Sequence, residues 1–120
     1  HLLRHMLFFL ITLPLINSDF PGTPAFVEKY NELYGKNPGS EAGFHYFAVY
    51  ALVEAMKIAG SVDDVEAIRN ALDEAVQSVP EEKQVYIIDG VDEHGANMFT
   101  VRMGVVEDGE VVEITADEFK

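Results

Sequence analysis

The sequence contains no cysteine, which excludes a disulfide framework, a thiolate metal site and a cysteine nucleophile, and leaves the redox compartment open. Basic residues are scarce, with 8 Lys and Arg against 21 Asp and Glu for a formal net charge of −13. A phosphate backbone is held by clustered Lys and Arg, so nucleic acid is not expected as a partner, and the same charge disfavours an anionic membrane surface. The apolar run Met6-Leu-Phe-Phe-Leu-Ile-Thr-Leu-Pro-Leu-Ile16 is shorter than the roughly 20 residues a membrane-spanning helix needs. No Gly-x-Ser-x-Gly elbow surrounds Ser18, Ser40, Ser61 or Ser78, and no glycine-rich phosphate loop precedes a helix. The paired acids Asp63-Asp64, Asp73-Glu74 and Glu81-Glu82 form no Asp-x-Asp-x-Asp-Gly calcium loop and suit helix caps and solvated loops. His1 and His5 share a helical i, i+4 spacing with no third ligand nearby, so neither a metal nor a cofactor is expected. There is no internal repeat and no low-complexity stretch.

What is present is an ordinary globular balance, 48% hydrophobic and 24% charged residues in 120, enough for one domain or a piece of a larger one. Because the chain opens at His1 and reaches an apolar run within five residues, it is expected to be processed or truncated. Arg4 before that run invites a signal-peptide reading, against which stand Pro14 inside the apolar core and the lack of a small-x-small cleavage pattern in Ile16-Asn17-Ser18-Asp19. The preferred reading is a buried strand from about Leu7 to Leu13, apolar on both faces and covered on both sides.

Helical punctuation dominates the middle. Thr23 is expected to cap a first helix from Pro24 to Tyr34, stopped by Gly35. A second helix is predicted over Ser40–Ala59, about 30 Å long at 1.5 Å per residue, stopped by Gly60. Phe44, Phe47, Ala48, Ala51, Leu52, Ala55, Ile58 and Ala59 give it a helical stripe, and Tyr46, Val49, Tyr50, Val53 and Met56 make the rest largely apolar, so burial on nearly every side is expected. A third helix opens on Asp63-x-x-Glu66 and continues through Val65, Ile68, Leu72 and Val76. Gln84–Ile88 reads as a strand and Asp89–Gly95 as a turn-rich connection. Met98–Val106 and Glu110–Ile114 flank Glu107-Asp108-Gly109, and Asp-Gly predicts a closing β-hairpin. The fold class is α/β: strand, three helices, then strands ending in a hairpin.

Several segments occur in a familiar order: Phe26-Val-Glu-Lys-Tyr-Asn-Glu-Leu-Tyr-Gly-Lys-Asn-Pro38, Phe47-Ala-Val-Tyr-Ala-Leu-Val-Glu-Ala-Met-Lys-Ile-Ala-Gly-Ser61, Ile68-Arg-Asn-Ala-Leu72 and Asp92-Glu-His-Gly95. This order and spacing resemble the C-terminal part of the solute-binding proteins of branched-chain amino acid ABC transporters, over nearly the whole chain from Met6 onward. The resemblance implies part of a type I periplasmic-binding-protein clamshell, two Rossmann-like lobes that close on a small ligand. It divides the chain into a strand and hinge crossing over about 1–15, helices and a strand of the N-terminal lobe over about 16–90, and a return crossing with closing strands of the C-terminal lobe over about 91–120. It further implies a non-enzymatic protein with a small ligand such as a branched-chain amino acid, and a membrane permease as partner. The implied location, when full length, is periplasmic or extracellular, lipoprotein-anchored in one version. The resemblance also implies that most groups holding the ligand's ammonium and carboxylate lie upstream of this chain.

Within the chain, the resemblance places aromatic side chains at the cleft edge where the long helix starts, at Phe44 and Tyr46 with His45 between them. Rigid rings suit an apolar wall, and a helix N-terminus suits a nearby anionic group. The competing reading makes both rings plain core and turns His45 to solvent or a packed neighbour. Asp92-Glu93-His94 sets two carboxylates beside an imidazole, but Gly95 closing the bend favours a turn over an acid–base group. Two other functions remain open: a self-associating α/β module that covers the apolar helix with a partner, and a ligand sensor of the same clamshell fold.

Overall fold

The structure, a computed structural model, describes residues 11–12, 18–99 and 102–114. Strand β1 (Ile11–Thr12) is followed by helices α1 (Thr23–Tyr34), α2 (Ser40–Ala59), α3 (Val65–Asn70) and α4 (Leu72–Gln77), then a 3₁₀ turn at Glu81–Lys83. The strands β2 (Ile88–Val91), β3 (Asn97–Phe99), β4 (Met103–Glu107) and β5 (Glu110–Ile114) complete the order. All described pairings are antiparallel, β1–β4–β5 in one sheet and β2–β3 in another. Of the strand expected over Leu7–Leu13, only Ile11–Thr12 is described, paired with Gly104 and Met103 at one edge of its sheet. The rest of that strand, the histidine pair at His1 and His5 and the signal-peptide reading lie outside the described residues.

At the start of α1 the expectation needs correction. Gly22, not Thr23, occupies the N-cap, and Thr23 is the first helical residue, buried, with its Oγ1 2.9 Å from Ser18 Oγ. The cause is crowding, because Gly22 lies against the backbone of 82–84 and its N–H donates to Gln84 O at 2.9 Å, a place that leaves no room for a side chain. Pro24 sits in the first turn, where its missing N–H costs nothing.

Helix α2 has the predicted bounds. Gly60, at φ 67°, ends it with the paired bonds of a Schellman motif: Gly60 N–H donates to Lys57 O and Ser61 N–H to Met56 O, each at 3.2 Å. Gly43, Phe47, Ala51 and Ala55 form its buried stripe, where small residues let α4 come close through Ala71 and Ala75. Burial all round is not what the structure shows, since Val49 is 62% exposed and Leu52, Val53 and Ile58 are exposed as well. Periodicity counts apolar positions and not the partners that cover them, and here the packed neighbours lie on one side.

The expected third helix is two helices. Its cap is Asp64, whose Oδ1 accepts from Ala67 N–H at 3.0 Å, while Ser61 Oγ accepts from the N–H groups of Asp63 and Asp64. The break falls at Ala71, whose N–H is shared between Ala67 O and Ile68 O at 3.1 and 3.2 Å, a 3₁₀-type tightening. The strand expected over Gln84–Ile88 starts later, at Ile88, because the 3₁₀ turn uses Gln84 N–H on Glu81 O at 3.1 Å, and Val85 is fixed by full burial instead of a ladder. The turn accordingly shortens to Asp92–Gly95, and Asp92 Oδ1 accepts from His94 N–H and Ala96 N–H at 2.8 Å each. That carboxylate is occupied by its own turn, and Glu93 and His94 are exposed beside it. The closing hairpin pairs Met103–Glu107 with Glu110–Ile114, and the positive φ of Asp108 and Gly109, 51° and 85°, fits a type I′ turn. Its first strand is shorter than the expected Met98–Val106, because Asn97–Phe99 pairs with β2 instead.

The principal contacts sort the elements into two groups, α2 with α3, α4, β2 and β3, and β1 with β4 and β5. The core of the first gathers Phe47, Val76, Val79, Val85 and Ile88, joined by Phe26 of α1. A radius of gyration of 17.1 Å, against about 13.5 Å for a compact domain of this length, agrees with a chain spread over two groups. Among the described residues no helix is long and apolar enough to cross a membrane.

Candidate functional site

Gly39 brings the chain into α2 in an extended conformation, and no side chain caps the helix start. Phe44 leaves the first turns of α2 and lies flat on Tyr86, ring centroids 4.1 Å apart and planes 5° from parallel. Phe99, at the end of β3, stands edge-on to Phe44 at 6.5 Å and 68°. Phe20, before α1, tilts against Tyr86 at 6.2 Å. Phe44 and Phe99 remain 40% and 42% exposed, so these rings form an open apolar wall. Tyr86 Oη donates to Ser40 O at 3.0 Å, and burial raises its hydroxyl pKa above the ordinary tyrosine value.

The cation Arg102 borders the wall at Phe20. Arg102 places its guanidinium 5.2 Å from the Phe20 centroid and forks onto Glu113, Nε to Oε1 at 2.6 Å and Nη2 to Oε2 at 2.8 Å. Its Nη1 donates to Asp19, and that bond holds the Asp19 carboxyl below the usual carboxylate range. Phe20 precedes α1, Phe99 ends β3 and Arg102 precedes β4, so the wall lies where the chain passes between its two groups of elements.

The three residues singled out from the sequence part company. Tyr46 lies two positions beyond Phe44, about 200° around the helix, and packs on Phe26 at 4.7 Å and on Tyr50 at 5.0 Å. Burial, with the Tyr50 hydroxyl as the second cause, pushes its pKa up to about 12. His45 is exposed, and its Nδ1 lies 2.8 Å from Glu41 O, a carbonyl that can only accept, so Nδ1 carries the proton. Phe44 thus joins the aromatic wall, Tyr46 the packing against α1, and His45 its own helix backbone. Tyr86 and Phe99, which meet Phe44, and Phe20, which meets Tyr86, were not singled out by the sequence: Tyr86 carries no signal there beyond an aromatic inside an expected strand.

The Tyr46 environment gives a pH prediction. A hydroxyl whose folded pKa lies above its unfolded value of 10.0 supports the fold fully below about pH 10 and loses that support as pH rises toward 12. The melting temperature is therefore expected to fall more steeply between pH 10 and 12 than that of Tyr46→Phe; parallel curves in thermal melts followed by circular dichroism contradict this.

The wall is an open face and not a closed pocket. Beside it a cleft of about 160 Å³ is lined by Gln77, Gln84, Tyr86 and Asp89, below the volume of ordinary ligand pockets. Among the described residues no group of three or more His, Asp or Glu side chains is arranged to hold a metal ion.

A family model described as periplasmic binding protein matches residues 7–110. Among solved structures, the leucine-binding protein LivK of Thermotoga maritima is similar at 28% identity and a TM-score of 0.59, over 91% of this chain and 31% of that one. This chain therefore spans about a third of that protein's length. No curated protein matches.

Proposed function

The chain belongs to the periplasmic binding protein family, and we propose that it supplies one apolar wall of the ligand cleft in the substrate-binding component of an ABC transporter. The observation that carries this is the open stack of Phe44 on Tyr86, edge to Phe99, at the junction of the two groups of elements. The leucine-binding activity named for the similar Thermotoga protein supports a branched-chain amino acid as ligand. Of the candidates on the first turns of α2, the exposed ring of Phe44 suits the ligand, while Tyr46 packs against α1 and His45 bonds its own helix backbone. On this reading residues 18–99 belong largely to one lobe and β4–β5 to the other. The whole protein then closes on its ligand and presents the closed form to a membrane permease, in the periplasm or outside the cell.

Burial of one leucine side chain against one wall is worth at most the roughly 1.5–3 kcal/mol of full burial, which corresponds to a dissociation constant of roughly 10 mM or weaker. Titration of this chain with L-leucine, read by NMR, is therefore expected to show saturable binding in that range, with glycine inert. Phe44→Ala should weaken leucine at least fivefold, whereas Tyr46→Ala should leave the affinity within twofold and lower the melting temperature more. Equal losses of affinity and stability in both variants would assign both rings to the core. The exposed apolar face of α2 at Val49, Leu52 and Val53 favours a second reading, self-association. A dimer in light scattering that is silent to leucine would support that reading over the first.

A further inference from the structure

We infer that Tyr86 is the positioning residue of this wall: its ring backs Phe44 and its hydroxyl holds the first turn of α2, so that Phe44 meets the ligand in one orientation. The inference rests on the proposed ligand role of Phe44. Helix starts leave their first N–H groups without intrahelical partners and are normally steadied by a capping side chain, which α2 lacks. The bond from Tyr86 Oη to Ser40 O ties this first turn to a residue 46 positions away. Tyr86 is itself held, with fully buried Val85 before it and Phe20 tilted against its ring. Unconstrained ring pairs settle offset or edge-on with centroids 4.5–7 Å apart. Phe44 and Tyr86 are nearly parallel at 4.1 Å, so the surroundings clamp them together. One residue thereby fixes both the Phe44 ring plane and the backbone that carries it.

The test is NMR on the full chain with labelled phenylalanine, the Phe44 ring signals being assigned through Phe44→Leu, and L-leucine as the probe. In the wild type the Phe44 ring signals should lie upfield, shielded by the Tyr86 face. Tyr86→Leu should remove that shift and weaken leucine at least fivefold. Tyr86→Phe should keep the shift, weaken leucine about twofold, and speed amide exchange at Phe44 and His45 at least threefold. A purely structural role would lower the melting temperature and leave affinity untouched, so wild-type affinity in Tyr86→Leu overturns the inference. If that variant does not fold, Tyr86→Phe decides, and unchanged affinity and exchange there overturn it. Wild-type protein that shows the shielded Phe44 ring but no response to leucine refutes the ligand role of the wall, and the inference falls with it. Wild-type binding unaffected by Tyr86 substitutions refutes the inference alone.

Discussion

Phe47→Ala is expected to destabilise the chain by about 3–5 kcal/mol, the usual cost of deleting a buried phenylalanine ring, and to lower its melting temperature by roughly 10–20 °C. Phe47 is 5% exposed and belongs to the core formed by Phe26, Ala51, Val76, Val79, Val85 and Ile88. It thus joins α1, α2, α4 and the approach to β2 in one contact set. Domains of this size are stable by only about 5–15 kcal/mol, so a single ring carries a large share. Phe47→Leu keeps most of the volume and should cost less than about 1.5 kcal/mol. Phe44→Ala, three positions earlier on the same helix but with its ring 40% exposed, should cost less than half as much as Phe47→Ala. Urea denaturation followed by circular dichroism measures all three. Similar costs at Phe44 and Phe47 would mean that α2 is rotated from the placement described.

Gly22→Ala is expected to be the most damaging of the small substitutions, at about 1–3 kcal/mol or more. A Cβ at Gly22 would come within 2.9 Å of Gln84 N, Glu82 O and Lys83 C, all backbone atoms with no side-chain freedom to yield. Relief requires α1 to move off the 3₁₀ turn, which breaks the bond from Gly22 N–H to Gln84 O. Backbone conformation adds no strain, because φ is −84° there. Gly39 provides the control. It too is an N-cap with a negative φ, −80°, and its added Cβ would meet only the flexible Glu41 carboxylate at 3.3 Å. Gly39→Ala should therefore cost no more than about 1 kcal/mol, the ordinary penalty of alanine at an N-cap. Equal losses at the two sites, measured in the same urea titrations, would show that α1 does not pack on residues 82–84.

The parts of the fold that the sequence announces are those with local causes. Gly60 at positive φ ends α2 at the position its sequence predicts, and Asp108-Gly109 turns the last hairpin. Where two adjacent residues of one type compete, local reasoning slips by a residue, as between Asp63 and Asp64 at the start of α3. Gln84–Tyr86 illustrates a different limit, since burial of Val85 and the preceding 3₁₀ turn override strand character there. At the candidate site Phe44 is legible, because an aromatic at the start of the long helix matches the family resemblance. Tyr86 and Phe99 are not, because nothing local marks side chains that meet Phe44 only across the folded chain. The exposed side of α2 is likewise invisible to periodicity, which assigns an apolar face without saying what covers it. The similar leucine-binding protein is about three times as long as this chain.

In the proposed function, the wall at Phe44, Tyr86 and Phe99 links this fold to ligand binding. The measurement that addresses it most directly is an NMR titration of the chain with L-leucine, read residue by residue. The account predicts saturable shifts concentrated on the rings of Phe44, Tyr86 and Phe99. Shifts concentrated instead on the groove lined by Val53, Met56 and Val62, or no shift at all, would contradict it.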